Sequence, residues 1–283
     1  MPHYICVTCG VQFVETAEPP AHCPICEDER QYVNWNGQQW TTLEQLRAQR
    51  HNVLKPVEPA LTGIGTEPSF AIGQRALLVQ SPEGNVLWDC ISLLDDATIE
   101  AVRALGGVSA IAISHPHFYS AMVEWSRAFD APIYLHEANR EWVMRPDPAI
   151  VFWQGETHQL GAGITQIRCG GHFEGATVLH WAAGAGRRGA LLTGDTITVV
   201  PDRRYVTFMY SYPNLIPLSA PAVRRIVKAV EPFAFDRIHG GWFERVVAAD
   251  AKAAIARSAQ RYIRAVTQAQ PDCRDCAPVR PGC

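Results

Sequence analysis

Apolar positions in this chain fall either into short continuous runs or into stretches at helical spacing of about 3.6, the mark of strands interleaved with helices. The apolar runs at 75–80 and 85–90 flank Ser81-Pro82-Glu83-Gly84, which predicts a hairpin with a four-residue turn. Residues 96–105 place Ile99, Val102 and Leu105 at helical spacing and stop at Gly106-Gly107, a pair suited to ending a helix. A buried strand is expected at 108–114, followed by a helix over 119–129 with Met122, Trp125 and Phe129 on one face. Further strands are expected at 132–135, 164–168, 176–181, 190–193 and 236–238. Helices are expected at 221–230, with Ser219 near its cap, and at 248–269, where Ile255, Ala259, Tyr262, Ile263 and Val266 form one stripe. Strands before and between helices argue a layered α/β domain.

The front of the chain lacks this pattern. Residues 1–33 are punctuated by Cys6, Cys9, Cys23 and Cys26 and are too few for an independent apolar core, so a metal or covalent links must hold them. Residues 34–60 read as a linker with a short helix, Thr41 as its N-cap and Glu44 completing a capping box. The stretch 53–68, with three prolines and two glycines, reads as linker or entry loop. The main domain is expected over 61–270, and a cysteine-containing tail over 271–283.

Composition narrows the class. The chain has 283 residues, 47% of them hydrophobic, and a net charge of −3. That balance does not favour nucleic acid as a partner. The start Met1-Pro2-His3-Tyr4-Ile5-Cys6 lacks the basic and apolar regions of a signal peptide, and no run is long and apolar enough to predict a membrane span. A cytoplasmic protein acting on a small molecule is the expectation. Nine cysteines in a reducing compartment suggest metal before disulfides.

Cys6-x2-Cys9-x13-Cys23-x2-Cys26 is a four-thiolate spacing of the zinc-ribbon type, with two disulfides as the alternative. Cys9-Gly10 and Pro24-Ile25-Cys26 also resemble rubredoxin knuckles, which hold iron. The short intervening loop, and Glu27 where such a knuckle has glycine, favour structural zinc. The unit is suited either to cover the mouth of a site or to mediate contact in a homo-oligomer. Cys273, Cys276 and Cys283 would join a second small metal site or remain an oxidisable end.

A second constellation lies at strand ends. The apolar run Ile111-Ala112-Ile113 leads into Ser114-His115-Pro116-His117; in extended chain, residues two apart face the same way, so both imidazoles would meet one ion. His172 in Gly170-Gly171-His172-Phe173-Glu174-Gly175, Asp195 in Gly194-Asp195-Thr196 and His239 before Gly240-Gly241 each follow a predicted strand. His136 and His180 fall inside apolar strands and read as core residues. Trp153, Tyr205, Phe208, Tyr210 and Trp242 stand in loops near these motifs and would line a partly apolar pocket.

The order of these motifs resembles that of the metallo-β-lactamase-fold hydrolases, the superfamily of glyoxalase II and lactone hydrolases, over residues 61 to 270. Asp89 closing Val86-Leu87-Trp88-Asp89, His115-Pro116-His117, Gly171-His172, Gly194-Asp195-Thr196 and His239-Gly240 carry the resemblance. It implies a four-layer αββα fold with His115, His117 and His172 at a first metal and Asp195 bridging to a second that includes His239. Asp89 would hydrogen-bond a ligand histidine. Tyr119 and Ser120 stand where the signature has Asp and His, so the second site is altered and one firmly held zinc or iron is expected. Asp195 and His239 would then be catalytic, with Tyr119 as a hydrogen-bond donor. The implied activity is hydrolysis of a small ester, thioester, lactone or amide-like bond. The alternatives are a mononuclear non-haem iron oxygenase, similar to persulfide dioxygenases, and a binding module without catalysis.

Overall fold

A computed structural model describes residues 1–268. Its main body is two facing sheets. In spatial order, the first consists of Ile150–Trp153, Ile133–His136, Ala110–Ala112, Val86–Trp88, Ala76–Val79, Leu61–Glu67 and His51–Glu58. The second consists of Thr157–Gly161, Ile164–Arg168, Thr177–Trp181, Ala190–Leu192, Arg237–His239 and Val246–Val247.

Strand geometry builds the layers directly. Leu77, Val79, Trp88, Ala110 and Ala112 of the first sheet share one buried cluster with Ile164, Leu179, Trp181 and Leu192 of the second. Their neighbours Leu78, Leu87 and Ile111 face outward against Val102 of the helix Asp96–Ala104 and Val123 and Trp125 of the helix Met122–Phe129. Ile167, Val178, Leu191 and Ile238 likewise face outward against the helices Ala220–Val230 and Ala251–Thr267. Alternation therefore divides each strand between an inter-sheet core and a helix-covered face, producing the αββα order. Among the described residues no helix is long and apolar enough to cross a membrane.

Three local expectations change. The helix expected from Thr41 runs over Leu43–Gln49, capped by Thr42 with Gln45 completing the capping box. The helix expected over 119–129 begins only at Met122, because Pro116–Phe118 forms a 3-10 turn and Ser120 takes φ +46°. Most consequential, the expected linker at 53–68 is largely an antiparallel strand pair, His51–Glu58 with Leu61–Glu67. Its prolines and glycines are compatible with a sheet for specific reasons. Pro56 lies on the edge strand, where a missing N–H is tolerated. Gly63 and Gly65 lie under the Phe243 ring, which an added Cβ would meet at 2.8 and 2.6 Å.

The N-terminal unit is continuous with the main core. Gln12–Glu15, His3–Cys6 and Trp40–Thr41 form a small sheet, and Val11, Phe13 and Ile25 belong to the same buried cluster as Phe118, Tyr119 and Met122. The Gln12 amide donates to the Ser120 carbonyl (3.0 Å), and the Ser92 hydroxyl to the Gly10 carbonyl (2.7 Å). Cys273, Cys276 and Cys283, and the last residue of the expected helix 248–269, lie outside the described residues.

Candidate metal centre

Three segments leave their strands and converge. His115 and His117 follow Ala110–Ala112, His172 follows Ile164–Arg168, and Asp195 follows Ala190–Leu192. One ligand atom from each of these four residues lies within 4.8 Å of every other, and all four residues are buried. His115 Nε2 is 3.0 Å from Asp195 Oδ1, which is 3.8 Å from His172 Nε2. His172 Nε2 is in turn 3.2 Å from His117 Nδ1. Donors on a tetrahedral zinc at its usual bond lengths stand about 3.3 Å apart, so these spacings suit one ion.

The two histidines of the His-x-His segment converge differently from the extended-chain expectation. His115 is extended, but the 3-10 turn at Pro116–Phe118 begins immediately after it. The turn lets His117 present Nδ1, beside the backbone, while His115 presents its far nitrogen Nε2.

The surroundings orient the rings. His172 Nδ1 donates to the Met209 carbonyl (3.1 Å), leaving a lone pair on Nε2. His115 Nδ1 lies 2.9 Å from Ser114 Oγ, and the Ser114 amide donates to Asp89 Oδ1 (2.8 Å). Asp89 thus supports the His115 ring through Ser114 rather than bonding it. Burial pushes the Asp89 carboxyl up to about 7, opposed by the Ser114 hydrogen bonds. Burial also pushes His117 well down and His172 down to about 4, keeping both imidazoles neutral as metal ligands require. Burial alone would raise Asp195, but the facing His115 and His172 hold it low and ionised. Buried Asp195 Oδ1 and His115 Nε2 nevertheless lack hydrogen-bond partners, an arrangement a cation resolves.

Other sequence candidates lie elsewhere. His239 is outside the quartet; its Nε2 faces Glu58 Oε1 at 3.7 Å, between the sheets. Glu58 also pairs with Arg237 and accepts the Ala185 amide (3.1 Å). Burial would raise its carboxyl, but His239, the Ala185 amide and Arg237 hold it down at about 2. Tyr119 is packed in the core shared with the N-terminal unit, and burial raises its phenol far above its ordinary range. Ser120 Oγ accepts from Gln74 Nε2 (2.9 Å). Among the described residues the only other potential metal cluster is the four-cysteine group. His136 and His180 bond backbone groups, as core residues do.

The five pocket-lining aromatics separate. Phe208 and Trp153 are buried, Tyr205 stacks beneath Arg261 (3.9 Å), and only Tyr210 and Trp242 adjoin site segments, through Met209 and Phe118. The wall is instead Phe173, whose ring lies 4.9 to 5.6 Å from the rings of His115, His117 and His172. Ser114, Met209 and Glu58 escaped the sequence reading. Ser114 adjoined the motif and was legible as a possible bridge; a backbone carbonyl such as Met209 carries no residue-type signal.

At the N-terminus, Cys6 and Cys26 Sγ are 3.5 Å apart, and Cys9 and Cys23 Sγ 3.7 Å. Disulfides need about 2.05 Å, whereas sulfurs around a tetrahedral zinc stand about 3.8 Å apart. The spacing fits an ion and not two disulfides. Gln38 Nε2 donates to Cys6 Sγ (3.1 Å).

YmaE of Bacillus subtilis (strain 168), an uncharacterized protein, is 54% identical over 268 residues, covering 94% of this chain and 97% of that protein. No family model matches the chain. Among solved structures, VMB-1 matches 76% of this chain and 98% of its own, with a TM-score of 0.57 and 13% identity. The metallo-β-lactamase DIM-1 matches 77% and 99%, at 0.57 and 13%. The metallo-β-lactamase FIM-1 from Pseudomonas aeruginosa, in its mono-zinc form, matches 74% and 95%, at 0.55 and 12%. Likeness at these identities shows the fold, and the fold is that of the metallo-β-lactamases.

Proposed function

Since the chain belongs to the family of Bacillus subtilis YmaE, and its fold is that of the metallo-β-lactamases, we propose that it is a hydrolase using one ion at His115, His117, His172 and Asp195. Its substrate is a small molecule with an ester, thioester, lactone or amide-like bond. The carrying observation is the convergence of four buried donor atoms from three separated segments. A divalent ion bound there supplies a water of lowered pKa and polarises a carbonyl.

The chain's own groups divide the remaining work. His115, His117 and His172 give their ring nitrogens, with His172 oriented by Met209 and His115 by Ser114. With the three imidazoles holding the ion and its water, Asp195, the quartet's carboxylate, would take the proton released by the attacking water. The Tyr212 hydroxyl donates to the Asp195 carbonyl (2.8 Å) and fixes its backbone. Phe173 excludes water from one side of the imidazoles. His239 and Tyr119 have no role at the reacting atoms. The four cysteines hold a separate structural ion.

Elemental analysis of wild type, His115→Ala and Cys6→Ala, with ester, thioester, lactone and amide substrates, tests this reading. One ion in each site is expected, with His115→Ala losing the quartet ion and hydrolysis, and Cys6→Ala losing the thiolate ion. The analysis also identifies each ion as zinc or iron. Full metal content and activity in His115→Ala would refute the assignment.

A further inference from the structure

Just after Cys26 the chain leaves the four-cysteine unit as Asp28-Glu29-Arg30-Gln31 and is fastened to the segment 209–214. The Tyr210 hydroxyl donates to Glu29 Oε1 (2.5 Å), and the Ser211 hydroxyl to the Arg30 carbonyl (3.1 Å). Asn214 Nδ2 donates to the Glu29 and Gln31 carbonyls, both at 2.9 Å. The receiving segment carries the Met209 carbonyl that orients His172 and the Tyr212 hydroxyl that holds Asp195.

Arg30 makes the most direct connection. Its Nη1 donates to the backbone carbonyl of His172 (3.2 Å), and its guanidinium lies 3.9 Å from the centre of the Phe173 ring. Nε and Nη2 grip the Asp28 carboxylate at 2.5 and 2.9 Å. Asp28 offsets the guanidinium charge, so Arg30 acts chiefly through geometry. His172 and Asp195, the quartet members from the second sheet, are therefore braced by a strap anchored in the four-cysteine unit.

We infer that Arg30 is a positioning residue, and that the ion affinity of the quartet depends on this strap. The inference rests on the quartet binding an ion. Groups that orient metal ligands commonly contribute about 10- to 100-fold in affinity, and a guanidinium fork is not replaced by an ammonium.

Cobalt(II) tests the coupling in the full chain. Thiolate charge-transfer absorption reports the four-cysteine site, and d–d bands competed by a chromophoric chelator report the quartet. Arg30→Ala is expected to weaken the quartet about 10-fold or more, with the thiolate band and melting temperature retained. Arg30→Lys should restore little of the loss. Unchanged quartet affinity in folded Arg30→Ala would overturn the inference. Should that variant fail to fold, Tyr210→Phe, Ser211→Ala and Asn214→Ala together cut the strap's other side-chain attachments and decide the matter: weaker quartet binding supports the coupling, and unchanged binding overturns it. Cobalt in the thiolate site but never in the wild-type quartet would defeat both the metal reading and this dependence; loss of coupling with quartet binding intact defeats only the latter.

Discussion

The Nδ1 proton of His172 is donated to the Met209 carbonyl across 3.1 Å, so its other nitrogen faces His117 Nδ1 as an acceptor. With Asp195 Oδ1 and His115 Nε2 also buried there without hydrogen-bond partners, a cation in this site satisfies acceptors that the protein leaves open. Bound only by the folded chain, an ion at about a thousand times its Kd stabilises the fold by about 4 kcal/mol. Chelation should therefore lower the melting temperature, and zinc should restore it; a melt insensitive to chelator would contradict a held ion.

Ser114 stands between Asp89 and His115. Ser114→Ala removes the 2.9 Å contact to His115 Nδ1 while retaining the backbone N–H to Asp89. The expected result is quartet affinity about 10-fold weaker, read by chelator competition. The four-cysteine ion should remain bound.

Gly194 has φ +52°, and a Cβ there would lie 2.8 Å from Ser114 Oγ and 3.2 Å from Asp89 Oδ2. Gly194→Ala combines left-handed strain with a clash immediately before Asp195. A loss of about 1–3 kcal/mol is expected, measured by urea unfolding, together with weaker ion binding. Wild-type stability would show that the loop absorbs the methyl elsewhere.

Glu58 titrates at about 2 in the fold against an ordinary 4.5. Between those values the unfolded chain binds more protons, so stability rises with pH. Its contribution is present above about 4.5 and lost as pH falls toward 2. Glu58→Gln should show a smaller stability difference between pH 7 and pH 3 than wild type in urea unfolding. Glu58→Ala should cost about 3 kcal/mol, because it strips the carboxylate from buried His239 and from Arg237.

Much of the layering was legible locally. Apolar runs at 76–79 and 177–181 mark strands buried on both faces, and two Cys-x2-Cys pairs state a four-sulfur site without a fold around them. The linker reading of 53–68 failed because proline and glycine signal a break only when nothing across space accounts for them. Phe243, far along the chain, occupies the room above Gly63 and Gly65, and Pro56 is on an edge that needs no donor.

The sequence by itself determined which chemical groups stand at strand ends: two imidazoles two residues apart, a third after paired glycines and a carboxylate after Gly194. Those are matters of local residue type and spacing. Tertiary structure decided which nitrogen each ring presents, that His239 turns to Glu58, that Tyr119 enters the core, and that Arg30 reaches His172 142 residues away. Such choices depend on where distant segments leave space or offer a bond partner, and no local pattern encodes the far side of a contact.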